Sequence, residues 1–169
     1  MIKLNLKILS FLVMLFFLAC KTENKTPNVI IIYADDLGFG DVSAYNQGTL
    51  NTPNIDKIAN EGIKFTNGHS SSATCSPSRY ALLTGSYPWR NSKAKISTGA
   101  SMIIDTNQNT LPKMFKENNY STAIIGKWHL GLGDGQINYN TKISPGPNNI
   151  GFDYSYIMPD TQDRVPTVY

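Results

Sequence analysis

Apolar and polar positions follow two periods along this chain. Residues 28–32, NVIII, are an almost unbroken β-branched run with polar neighbours, the pattern of a strand buried on both faces near the middle of a sheet. The run leads directly into Asp35, Asp36, Gly38 and Gly40. Residues 52–62 switch to helical spacing, with Thr52 as cap, Pro53 in the first turn, Ile55, Ile58 and Ala59 as the apolar positions, and Gly62 as terminator. Residues 63–69, IKFTNGH, alternate as a short strand does. A capping-type serine and Pro77 predict a short helix directly after Cys75, closed by Gly85. Thr110 and Pro112 start another helix within residues 109–120, and residues 121–125 form a strand that delivers Lys127 and His129 at its carboxyl end. Residues 131–151, rich in Gly, Asn and Pro, predict an irregular loop. This order of elements predicts an α/β fold, a mixed and mostly parallel sheet sandwiched by helices.

The first twenty residues, MIKLNLKILSFLVMLFFLAC, have another character. Lys3 and Lys7 precede an apolar run from Ile8 to Ala19 that is short for a bilayer span, as in a bacterial export signal. The run ends in FLAC, which resembles a lipoprotein cleavage motif with Cys20 as the lipidated first residue of the mature chain. An uncleaved anchor and an ordinary secretory signal are the alternatives. The expected organisation is a lipoprotein signal over 1–20, a polar tether over 21–26 and a folded domain from residue 27. The expected location is the cell envelope, at the periplasmic or outer face, with the membrane as partner through the lipid.

Composition narrows the picture. An apolar content of 41% with 16% charged residues fits a globular protein. Of the formal net charge of +3, Lys3 and Lys7 supply two, and the remaining +1 argues against a nucleic-acid partner. There are two cysteines, and if Cys20 carries lipid then Cys75 has no disulfide mate in a compartment that favours disulfides.

Three groups of residues carry candidate chemistry. Asp35 and Asp36 at a strand end suit a hard divalent cation, because adjacent carboxylates repel unless a cation lies between them; an ordinary acidic turn has the same letters. Cys75 at a helix N-terminus, with Arg79 four residues on along the same face, is a place for an anion, either a thiolate or a bound oxyanion. A structural cysteine is the plainer reading. Lys127 and His129, two apart on an extended segment, share a face, although a solvated lysine beside a packed histidine is the commoner outcome. Together the three groups hold what cleavage of a tetrahedral oxyanion ester needs: cations to neutralise the oxyanion, and an acid for the leaving group.

The same residues carry a family resemblance. CSPSRYALLTG, residues 75–85, resembles the Cys-x-Pro-x-Arg signature of cysteine-type sulfatases, members of the alkaline-phosphatase-like superfamily. PNVIIIYADDLGFGD resembles the first metal-binding strand of that family and GKWHLG its Lys-x-His segment; GFDYSYIMP and DRVPTVY are similar to stretches of bacterial members. The resemblance implies that Cys75 is converted to Cα-formylglycine by a maturation enzyme that reads Pro77 and Arg79. The hydrated aldehyde then acts as nucleophile on a sulfate ester, and its second hydroxyl later expels sulfate. It also implies that Asp35, Asp36 and an oxygen of modified residue 75 bind calcium, ahead of magnesium. Arg79 would stabilise the hydrated aldehyde, Lys127 would contact the sulfate oxygens, His129 would hold the formylglycine, and Thr161 would add a sulfate-side hydroxyl.

Family members are far longer than this chain and take further metal and catalytic residues from beyond the position of Tyr169. The expectation is therefore that residues 27–169 are the N-terminal part of a sulfatase catalytic domain, incomplete and inactive alone. The substrate expected of the full-length protein is a sulfated carbohydrate or an aryl sulfate. Two other functions compete: a related phosphoryl-transfer hydrolase, disfavoured by Cys75 where Ser or Thr would stand, and an inactive binding protein on the same fold.

Overall fold

The computed structural model describes residues 26–46, 50–92, 94, 96–97 and 99–161. The export signal with Cys20 and most of the tether lie outside the described residues, as does DRVPTVY except for its neighbours up to Thr161. The chain divides into two compact units, one ending at Asp36 and one starting at Leu37.

In the first unit, residues 28–32 are in neither helix nor strand, which differs from the expected buried central strand. Ile30 and Ile32 are each 84% exposed. A β-branched run becomes an interior strand only when neighbours cover both of its faces, and no ladder reaches it among the described residues. The chain then bends at Asp35 and Asp36, with Asp36 in the left-handed region at φ 58°.

The second unit holds three α-helices, α1 (Pro53–Glu61), α2 (Cys75–Thr84) and α3 (Leu111–Glu117), and two strands, β1 (Ala123–Lys127) and β2 (Tyr154–Met158). Helices α1 and α3 start at the caps foreseen, and α2 is capped two residues before the foreseen Ser76. Thr52 precedes α1, and Thr74 rather than a serine precedes α2, so Cys75 is itself the first helical residue. Thr110 caps α3 by accepting from the Lys113 backbone N–H. Helix α1 buries no residue; it is held by a polar clasp in which Ser43 Oγ donates to Asp56 Oδ2 at 2.6 Å and Thr52 Oγ1 donates to Asp56 Oδ1 at 3.1 Å. Helix α2 ends at Gly85, whose φ of 64° continues the chain where a side chain would be strained. Helix α3 is shorter than its expected span, because Asn119 takes φ 63° and breaks the turn.

The expected strand over residues 63–69 is absent; Ile63 and Phe65 stay 82% and 69% exposed, so alternation there has no buried side to serve. The strand expected at 121–125 lies two residues later and includes Lys127. It pairs in parallel with β2, which the sequence pattern did not flag, in the register Ala123↔Tyr154 to Lys127↔Met158. The intervening loop is irregular as expected, apart from a 3-10 turn at Pro147–Ile150. The fold is thus α/β with a parallel ladder and helices.

The core gathers Tyr80 and Leu83 from α2, Ile103 and Ile104, the stretch Trp128, Leu130 and Leu132 after β1, and Ile150 and Phe152 before β2. Trp128 is 1% and Leu130 0% exposed, burying a face worth roughly 1.5–3 kcal/mol per large side chain. Gly131, between Leu130 and Leu132, has φ 74°, and a Cβ there would lie 2.0 Å from the Ser101 carbonyl oxygen. That close approach lets residues 130–133 bond to residues 100–103, through Leu132 N–H to Ala100 O and Ile103 N–H to Leu130 O, both 3.0 Å. The segment directly following β1 is therefore among the most tightly fixed in the unit.

Candidate active site

Residue 75 opens α2, where the first backbone N–H groups have no partner within the helix. Thr74 contributes no side-chain cap, so those groups and the positive end of the helix dipole face whatever lies at the N-terminus. Cys75 is half-buried and in no disulfide. Its carbonyl accepts from Ser78 Oγ at 2.9 Å, which stiffens the first turn from the inside.

Arg79 sits one turn further on and half-buried. Its Nη1 donates to the Lys127 carbonyl at 2.6 Å, linking α2 to the last residue of β1 across 48 positions of sequence. The residue that closes β1 and the helix that presents Cys75 are thereby brought together by a charged hydrogen bond.

Strand β1 ends at Lys127, and His129, expected on the same extended segment, instead takes a left-handed backbone with φ 52°. A non-glycine residue in that region costs of order 1 kcal/mol, so the packing of Trp128 and Leu130 on either side is what holds it there. His129 is 5% exposed, and its N–H donates to the Pro159 carbonyl at 3.0 Å, one step after Trp128 N–H donates to Met158 O at 2.9 Å. The parallel pairing thus continues past both strands and sets His129 beside Asp160, with Nε2 3.1 Å from Oδ1. Asp160, next to the candidate Thr161, was not itself a candidate from sequence; the pairing with β2, which was missed, is what points to it. Thr161, the next residue, has a buried hydroxyl oxygen that makes no hydrogen bond among the described residues. An orphaned buried hydroxyl of this kind suits a donor to an oxyanion.

Asp35 and Asp36 belong to the first unit, where both are exposed at the bend. The left-handed turn at Asp36 frees the two carboxylates from the opposite-face alternation of a strand. Two adjacent, exposed carboxylates are a donor set of hard oxygens and fit a calcium-type cation.

The fold is α/β, and the candidate residues stand at the carboxyl end of a parallel strand and at a helix N-terminus. The family model named Sulfatase matches residues 27–167, and the chain belongs to the sulfatase family. It is 49% identical over 149 residues to an N-acetylgalactosamine-6-O-sulfatase of Bacteroides thetaiotaomicron, covering 87% of this chain and 29% of that protein. It is 41% identical over 152 residues to the steryl-sulfatase of Homo sapiens, covering 85% of this chain and 26% of the other. A solved structure from work on the metabolism of multiple glycosaminoglycans by B. thetaiotaomicron superposes with a TM-score of 0.80 at 50% identity, over 84% of this chain and 30% of its own. The chain therefore spans under a third of the length of these relatives.

Proposed function

We propose that this chain carries the nucleophile-bearing part of an exported sulfuric ester hydrolase. The observation that supports this most is the link between α2 and β1, which puts Cys75, Arg79 and the Lys127–His129 turn on two elements joined by one charged hydrogen bond. Family membership supplies the reaction class.

In this reading residue 75 works as formylglycine. The hydrated aldehyde supplies a geminal diol, one oxygen of which displaces the alcohol from sulfur while the other later drives out sulfate and restores the aldehyde. The chain's own residues bind, orient and move protons around it. Arg79 holds the diol and balances its developing negative charge. Lys127 pairs with the sulfate oxygens, and the Thr161 hydroxyl donates on the same side. His129 takes the proton of the second hydroxyl, so that the carbon–oxygen double bond can re-form as the bond to sulfate breaks. Asp35 and Asp36 would hold a calcium ion, which would supply Lewis-acid neutralisation of the sulfate oxygens.

The substrate proposed is a sulfated carbohydrate ahead of an aryl sulfate, supported by the 49% identity to a relative named for N-acetylgalactosamine 6-O-sulfate. Lipidation at Cys20 and attachment to the cell envelope are part of the same reading and rest on the FLAC sequence. Turnover by the full-length protein on 6-O-sulfated N-acetylgalactosamine, other sulfated sugars, an aryl sulfate and a phosphate ester tests it. Sulfate release from a sugar supports the proposal, release from the aryl ester alone overturns the substrate class, and cleavage of phosphate alone overturns the reaction. No turnover by the mature, calcium-loaded full-length protein favours the binding-protein alternative.

A further inference from the structure

We infer that Asp160 is a positioning residue for His129, a role that rests on the sulfatase reading for its effect on turnover but not for the coupling itself. The argument starts from register. Lys127 faces Met158 in the parallel ladder, and the two backbone bonds beyond it, Trp128 N–H to Met158 O and His129 N–H to Pro159 O, carry the pairing to the exits of both strands. The next residue on the β2 side is Asp160, and its Oδ1 lies 3.1 Å from His129 Nε2.

Both side chains are withdrawn from water, at 7% exposure for His129 and 19% for Asp160. There a carboxylate–imidazole contact is much less screened than at the surface, and it draws the Nε2 edge of the ring toward Asp160. The backbone of His129 is already immobile, held at φ 52° between two fully buried neighbours. Ring rotation is the freedom that remains, and the Asp160 carboxylate beside Nε2 biases it. A base whose ring is oriented by a third group is the arrangement that nucleophilic sites require. Asp160 thus acts through His129 rather than on the substrate.

Two near-isosteric changes separate charge from volume. Asp160→Asn keeps the size and a carbonyl oxygen but removes the carboxylate; Asp160→Glu keeps the carboxylate. The mature protein is labelled with 15N-histidine, and the His129 ring nitrogens are assigned by their loss in His129→Gln. Asp160→Asn is expected to change the His129 ring-nitrogen shifts and to lower kcat by about 10-fold to 100-fold with KM little changed. Asp160→Glu is expected to restore part of both. Ring shifts and kcat in Asp160→Asn that match the parent protein would overturn the inference, because volume alone would then suffice. If the parent protein cleaves no sulfate ester, the reaction reading fails separately, and the ring shifts still decide the coupling: changed shifts uphold it and unchanged shifts overturn it.

Discussion

Arg79 and Lys127 meet through a side chain and a backbone carbonyl: the guanidinium of one donates to the oxygen of the other at 2.6 Å. The link uses the Lys127 backbone oxygen and not its ammonium. Arg79→Lys keeps the charge but loses the planar fork that lets one side chain hold the Lys127 carbonyl and a second acceptor at once. The expected result is a loss of about 100-fold or more in kcat on a sulfate ester. Arg79→Ala should also lower stability by roughly 1.5–3 kcal/mol, the range for a hydrogen bond to a charged group. Steady-state kinetics and urea unfolding check the two effects separately.

Gly131 is the second position where one atom decides much. Alanine there would need φ 74° and would drive its Cβ into the Ser101 carbonyl. Gly131→Ala is expected to destabilise by more than about 2 kcal/mol, since strain and a backbone clash act together. Gly135, with φ 116° and nothing within 4 Å of a built Cβ, is the control and should cost less. Denaturant midpoints for the two variants give the comparison.

Asp153 predicts a pH dependence. Its carboxylate accepts from Lys116 Nζ at 2.7 Å and from the Thr122 N–H at 2.9 Å, pinning the end of α3 to the starts of β1 and β2. The Lys116 hydrogen bond first, then the Thr122 backbone, hold its pKa below the ordinary 3.8. The folded value lies below the unfolded one, so the contribution is fully present above the unfolded pKa and is lost as pH falls through the folded one. Asp153→Asn should therefore narrow the difference in Tm between neutral and acidic solution. Equal Tm differences in both proteins would contradict this.

Metal removal addresses the first unit. Calcium added after chelation is expected to restore sulfate release and to raise Tm in the parent protein, because a cation that binds only the folded state stabilises it. Asp35→Asn with Asp36→Asn should abolish both responses. A calcium response retained in that variant would place the ion elsewhere.

The residues that were legible in the sequence are those whose signals are local. Thr52, Thr110, Pro53 and Pro112 mark helix starts because capping and fixed φ act within one turn, and α1 and α3 begin where they indicate. Cys75 at the head of α2 follows from the same logic. Residues 28–32 and 63–69 were misread because burial is a property of neighbours: Ile30, Ile32 and Ile63 have strand chemistry but no covering layer among the described residues. Strand β2 and Asp160 were missed for a related reason. Their roles come from pairing with residues about 31 positions away, a relation that no spacing within either segment reveals. The turn at His129 is likewise set by the burial of Trp128 and Leu130 rather than by its own type.

The central claim is that residue 75 reacts as an aldehyde and not as a thiol. Mass spectrometry of the tryptic peptide over residues 65–79, from protein made in its own cells, tests it directly. The account predicts a peptide that has lost one sulfur and two hydrogens, gained one oxygen, and reacts with a hydrazide. A peptide that keeps an alkylatable thiol in every preparation, in protein that nonetheless releases sulfate, would contradict it.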